Sequence, residues 1–151
     1  MSTTDFDFLI GTWTVAHRRL THRLVGSTDW EEFAGSSVCR KILDGAGNLE
    51  ELVMPAKGYT GATLRLYDPA QQQWSLYWAS GLTGLLYPPV VGRFEAGQGQ
   101  FYGNDTEAGQ PVRARFRWTP KTPTSAHWDQ AFSTDGGTSW ETNWEMRFAR
   151  A

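Results

Sequence analysis

Along most of the chain, apolar and polar residues alternate one by one. In the segment from Trp140 to Phe148, Trp140, Thr142, Trp144, Met146 and Phe148 share one face of an extended strand. Glu141, Asn143, Glu145 and Arg147 share the other. Pro111 to Trp118 repeats the pattern, with Val112, Ala114, Phe116 and Trp118 opposite Arg113, Arg115 and Arg117. Side chains of a strand point alternately to its two faces, so a period of two predicts strands with one face buried. The same reading predicts strands over Thr12–Leu20, Thr28–Leu43, Leu49–Met54, Ala62–Tyr67, Trp74–Ala79, Val90–Glu95, Gly99–Gly103, Pro111–Trp118, Ala126–Ser133 and Ser139–Phe148. Between them lie DGAGN, YDPA, AGQG, EAGQ and TDGG, whose Gly, Asn, Asp and Pro suit chain reversal. Helical periodicity is nearly absent. Only TTDFDFLIG, near the start, suits a short helix or 3-10 turn, capped by Thr4 and ended by Gly11.

About ten short strands with short connections predict an antiparallel meander, and closing it into a barrel removes the exposed edges. No repeat, low-complexity segment or linker divides the chain. Residues 1–151 therefore read as a single all-β domain, large enough to bury a core without staples. The stretch STDGGTSW, Ser133 to Trp140, fits the Asp-box of sialidase-like propellers. It falls between two alternating strands, where Asp135 can bond turn amides and Gly136 and Gly137 supply positive φ. A propeller repeats its blades, and this box occurs once, so the expectation is a hairpin turn.

Composition sharpens the picture at one point. Eight tryptophans, eight phenylalanines and five tyrosines among 151 residues suit pleated surfaces and also the walls of a small-molecule cavity. A net charge of −2 argues against a polyanion partner, although RARFRW interleaves arginines with aromatics. The single cysteine, Cys39, excludes an intramolecular disulfide and reads as a small core residue. MSTTDFDFLIG has no signal-peptide character, and no run approaches the roughly 20 apolar residues of a membrane span. The expected setting is cytoplasmic, with no membrane or nucleic-acid partner.

Two resemblances bear on the fold. GTW, Gly11 to Trp13, opens the first strand after a short helical turn and resembles the lipocalin and wider calycin pattern. The resemblance implies that Trp13 closes the barrel floor and that an arginine of the last strand packs across its ring. Arg147 and Arg150 are available, and Arg150 is the choice because it extends past Phe148. More of the chain (FDFLIGTW, LRLYDPAQQQWSLYW and WDQAFSTDGGTSWETNWEMRFAR) resembles a bacterial family of calycin-like domains of unknown function. That likeness implies a β-barrel and transfers no catalytic residue. Nitrobindin, a haem-binding ten-stranded calycin-like barrel, is similar in its N-terminal turn and strand count. Here the continuation after Trp13 reads TVAHRRL rather than glycine-rich, and no histidine lies on the final strand, so no haem or other cofactor is expected.

The candidate chemistry is sparse. His17, His22, His127 and Cys39 show no metal-ligand spacing, so no metal site is expected. His127 and Asp129 share a strand face and have the parts of a general base, or of a cross-strand pair on the outside. Arg113, Arg115 and Arg117 are either a solvated ladder or, facing inward, a carboxylate anchor. Of Arg18 and Arg19, the one on the side of Trp13 is Arg19. The segment SGLTGLLYPPVVG is long and apolar for a loop, as a lid, a barrel plug or an association surface would be.

These observations predict a small apolar or amphipathic ligand, possibly bearing a carboxylate, bound in the barrel cavity. Trp30, Trp74, Trp78, Trp118 and Trp144 are the expected wall residues, with Arg19 or Arg115 as the polar anchor. The alternative is an enzyme of isomerase or cyclase type in the same cavity, with His127 and Asp129 as the acid–base pair assisted by His17. A third reading is a homodimer associating through Leu82 to Val91.

Overall fold

Gly11–Leu20 form β1, whose alternate side chains Trp13, Val15 and His17 are buried while Thr12, Thr14 and Ala16 are exposed. The computed structural model describes residues 2–151 and continues this rule around a closed ring. The further strands are β2 (Trp30–Ile42), β3 (Gly47–Met54), β4 (Tyr59–Asp68), β5 (Gln73–Ser80), β6 (Leu85–Leu86), β7 (Val90–Glu95), β8 (Gln98–Glu107), β9 (Gln110–Thr122), β10 (Ser125–Ser133) and β11 (Glu141–Arg150). Each strand pairs antiparallel with its neighbour in the chain, β5 passing on to β7, and β1 pairs with β11. The result is a ten-strand antiparallel meander barrel. The two-residue β6 extends only the edge of β5, in the long apolar loop. All ten expected strands are present, most of them longer than the alternation alone indicated.

One end is plugged. Asp7–Leu9 form a 3-10 turn that carries Phe6 into the barrel, where its ring meets Trp74 and Phe94 at 5.0 Å each and Phe101 at 5.8 Å. The turn is not capped by Thr4. No side chain caps it, and the Thr4 hydroxyl bonds Ser2 instead. Trp13 Nε1 donates to the Leu9 carbonyl at 2.8 Å, and Trp74 Nε1 donates to Asp5 at 3.1 Å. Arg150 lies across Trp13, its guanidinium carbon 4.3 Å from the ring centre. It also donates to the carbonyls of Phe8, Ile10 and Pro123 at 3.0, 2.9 and 3.1 Å. Gly11 has φ +131°, and a Cβ there would stand 2.6 Å from an Arg150 nitrogen, so the clamp requires glycine.

The Ser133–Trp140 box is a hairpin turn. Ser139 donates to Asp135 from both its amide (2.9 Å) and its hydroxyl (2.5 Å), the Ser133 hydroxyl donates to the same carboxylate, and Gly136 and Gly137 have φ +72° and +98°. The Ser139 and Ser133 bonds hold the Asp135 carboxyl well below the usual carboxylate range. In β11 the expected alternation breaks. Gln130 pairs with Trp144 but Ala131 pairs with Thr142, so Asn143 is an extra residue in a bulge. Trp144, Met146 and Phe148 point inward, whereas Trp140, before the bulge, packs outside against Tyr102 and Arg115.

Candidate ligand-binding site

At the end opposite the plug the barrel opens into a chamber of about 240 Å³. Its walls are inward positions of four strands: Leu76 and Trp78 from β5, Ala114 and Phe116 from β9, Gln130 and Phe132 from β10, and Trp144 from β11. Trp78 and Trp144 meet edge to face at 6.1 Å. Room for the Trp78 indole comes from β4, where a Cβ on Gly61 would overlap the ring at 1.9 Å. Leu82, Thr83, Tyr87 and Pro88 of the apolar loop line the mouth, and Leu82, Leu85 and Leu86 are largely exposed.

Cations sit where the aromatic wall reaches the mouth. The Arg19 guanidinium lies 5.0 Å from the Trp144 ring centre and 5.3 Å from that of Phe33. It donates to Glu31 at 3.4 Å and to the Tyr59 hydroxyl at 3.2 Å. Glu31 also accepts from Lys57 at 2.7 Å, and that bond is the main reason its carboxyl is held below the ordinary range. Arg23, from the β1–β2 loop, lies 5.5 Å from the Phe132 ring centre. Its Glu107 partner is 3.6 Å away, a loose ion pair that leaves the fork of Arg23 open towards the mouth. Burial draws Arg23 below its ordinary value despite Glu107.

Deeper in, Trp78, Trp144, Phe116, Leu76 and Gln130 also border a second recess of about 50 Å³, completed by Leu52, Thr63, Trp118, Trp128, Met146, Glu50 and Arg65. Arg65 and Glu50 form a fully buried ion pair. Arg65 also donates to Asn48 at 2.8 Å, and Ser37 donates to Glu50 at 2.6 Å. The guanidinium stands 5.1 and 5.2 Å from the ring centres of Phe6 and Trp118, so the plug covers it. Cys39, next to this network, is pushed up to about 11 by burial and is an unreactive thiol.

His17 is buried in the wall beside Arg19. Its ring stacks on Phe33 at 4.5 Å and its Nδ1 accepts from Trp144 Nε1 at 3.1 Å. A Cβ on Gly35 would stand 2.9 Å from Nε2, so β2 leaves room for the imidazole. Burial, with Arg19 nearby, lowers His17 to about 4, so the ring is neutral at pH 7.

The structure separates the other expected site residues from this cavity. His127 and Asp129 face outward, because Trp128 and Gln130 occupy the inward positions of β10. Asp129 pairs with Arg117 at 3.0 Å, and His127 lies in an open outer depression of about 950 Å³ beside Arg18, Glu145 and Arg147. Arg115 is also outside, 4.7 Å from the Trp140 ring centre, since Ala114 and Phe116 fill the inward positions of β9. It is therefore no anchor for a cavity ligand. Trp30 stands outside under Arg18 at 4.0 Å, and Trp74 belongs to the plug. Arg19, Trp78, Trp118 and Trp144 are brought together, and His17 adjoins them. Arg23, Phe116, Gln130 and the Arg65–Glu50 pair were not expected. Phe116 could have been placed by its alternation with the Arg115 and Arg117 ladder. Among the described residues, no three His, Cys, Asp or Glu side chains gather as metal ligands. Among the described residues, no helix is long and apolar enough to cross a membrane.

Comparison with known proteins adds a fold. Neither a protein-family model nor a curated protein sequence matches the chain. Among solved structures, an S-type phycobiliprotein lyase from Guillardia theta is similar, with a TM-score of 0.62 and 13% identity. The match covers 100% of this chain and 93% of that one. At this identity the likeness speaks for the calycin-like barrel alone.

Proposed function

We propose that the barrel binds a small amphipathic molecule with an anionic head, its apolar body between Trp78, Phe116, Phe132 and Trp144 and its head on Arg19 and Arg23. One observation carries the reading: two half-buried guanidinium groups, Arg19 and Arg23, border an aromatic cavity, and the Arg23 fork meets Glu107 only at 3.6 Å. A carboxylate or similar anion would fill that fork and offset the burial of the cation. The similar phycobiliprotein lyase, by its name, acts on a pigment protein, which agrees with a small-molecule role for such a barrel. The motifs FDFLIGTW and LRLYDPAQQQWSLYW support placing the chain with the calycin-like bacterial domains they resemble. Of the residues in the enzymatic alternative only His17 comes near the cavity, behind Trp144, because His127 and Asp129 lie outside the barrel.

The test uses two probes of similar shape, anionic 8-anilinonaphthalene-1-sulfonate and neutral N-phenyl-1-naphthylamine. Each is titrated into the wild type and an R19Q/R23Q variant whose near-ultraviolet circular dichroism is native. Hydrogen bonds to charged groups contribute about 1.5–3 kcal/mol, so the variant should lose tenfold or more in affinity for the sulfonate. Affinity for the neutral probe should change by less than about twofold. An equal loss for both probes, or none for the sulfonate, would refute the anionic-head reading.

A further inference from the structure

The recess behind the main chamber is polar in a way that an apolar tail does not need. Arg65 lines it, is 1% exposed, and has an Nε–H without a partner among the described residues. Its other nitrogens are engaged by Glu50 and Asn48. Gln130, which also lines the recess, donates from its amide nitrogen to Asn143 at 2.8 Å. Thr63, between Gly61 and Arg65 on β4, adds a hydroxyl to the same wall. A buried donor left unpaired costs far more than a paired one gains, so such a group is usually met by a water or a ligand atom.

The pocket's charge selects among ligand groups. Glu50 already neutralises Arg65, so a second anion would meet the Glu50 carboxylate and a second cation the guanidinium. A neutral group that both donates and accepts has a partner on each side. The size, about 50 Å³, suits one small substituent. The depth is set by β4. Tyr59, bonded to Arg19 at the mouth, and Arg65 are six positions apart on one strand. That is about 20 Å along a strand and about 15 Å along the axis of a barrel with ordinary tilt.

Resting on the anionic-head reading above, we propose that the ligand is bipolar: an anionic head at Arg19 and Arg23, an apolar body, and a neutral hydroxyl or amide at its far end held by Arg65, Thr63 and Gln130. The recess thereby measures both the length of the ligand and the chemistry of its tip.

The experiment compares dodecanoate with 12-hydroxydodecanoate by isothermal titration against the full chain. In an apolar recess the terminal hydroxyl would weaken binding, since it would leave water without a partner. In the recess described, 12-hydroxydodecanoate binds tighter, by between about twofold and tenfold. Thr63→Val, which leaves the Arg65–Glu50 pair intact, reduces that preference. Equal affinities, or tighter binding of dodecanoate, overturn the bipolar assignment. If dodecanoate binds with its affinity dependent on Arg19 and Arg23, the anionic-head reading stands even then. If neither acid binds, both readings fall.

Discussion

His17 gives the protein a pH-dependent stability that can be worked out from its surroundings. Its Nδ1 accepts from Trp144, so the neutral ring carries its proton on Nε2, and that atom has no partner among the described residues. Adding a second proton at Nδ1 breaks the Trp144 bond and places a cation in the barrel wall beside Arg19. The folded value is about 4 against 6.5 for the free side chain. The unfolded chain therefore binds the proton first, and stability is lost as pH falls below about 6.5. Integrating the linkage, the loss relative to pH 7 is about 2 kcal/mol at pH 5 and about 3 kcal/mol at pH 4. The perturbation is His17→Gln, whose amide oxygen can still accept from Trp144 but does not titrate. Urea unfolding followed by tryptophan fluorescence at pH 7, 6 and 5 gives the two stability curves. The wild type should lose about 2 kcal/mol more than the variant between pH 7 and pH 5, before most carboxylates protonate. Parallel curves over that range would refute the account and mean that His17 is protonated at no cost in the fold.

Three further substitutions probe the interior. Arg65→Met strands the Glu50 carboxylate in a fully buried site, so it should destabilise by about 3–5 kcal/mol, and adding Glu50→Leu should recover much of that loss. A double-mutant cycle from urea unfolding checks this, and additive losses would contradict the pair. Gly61→Ala places a Cβ against the Trp78 indole, so the ring must leave its position at a cost of about 1–3 kcal/mol. The near-ultraviolet circular dichroism should change while the far-ultraviolet spectrum holds, and an unaltered indole signal would mean that Trp78 lies elsewhere.

Strand alternation made the barrel legible, because each strand presents one aromatic or aliphatic face. Parity alone puts Arg19 on the side of Trp13, and in the structure that side faces the cavity. The same parity, applied from Trp128 or from Phe116, places His127, Asp129 and Arg115 outside. What concealed this was chemistry: a histidine beside an aspartate suggests a site wherever it lies. Three features could not be read. The bulge at Asn143 turns Trp140 outward through one extra residue, which no periodicity announces. Glu50 and Arg65, 15 residues apart, look like surface charges in isolation, and only the pairing of β3 with β4 buries them together. Arg23 sits in a loop, where alternation carries no information.

The seam between β1 and β11 has a consequence for the order of folding. Most other pairings join strands adjacent in the chain, and hairpins of that kind form in microseconds. The seam instead brings Arg150 to carbonyls 140 and 142 residues earlier. Until the last strand arrives, Trp13 lacks its cover and the ring is an open sheet with two sticky edges. Closure is thus a late event, and nucleation belongs to the local hairpins. Contacts that form after the rate-limiting barrier govern how fast a protein comes apart rather than how fast it assembles. The Arg150 clamp is by this argument a latch: weakening it shortens the lifetime of the closed ring and leaves the rate of its formation nearly untouched.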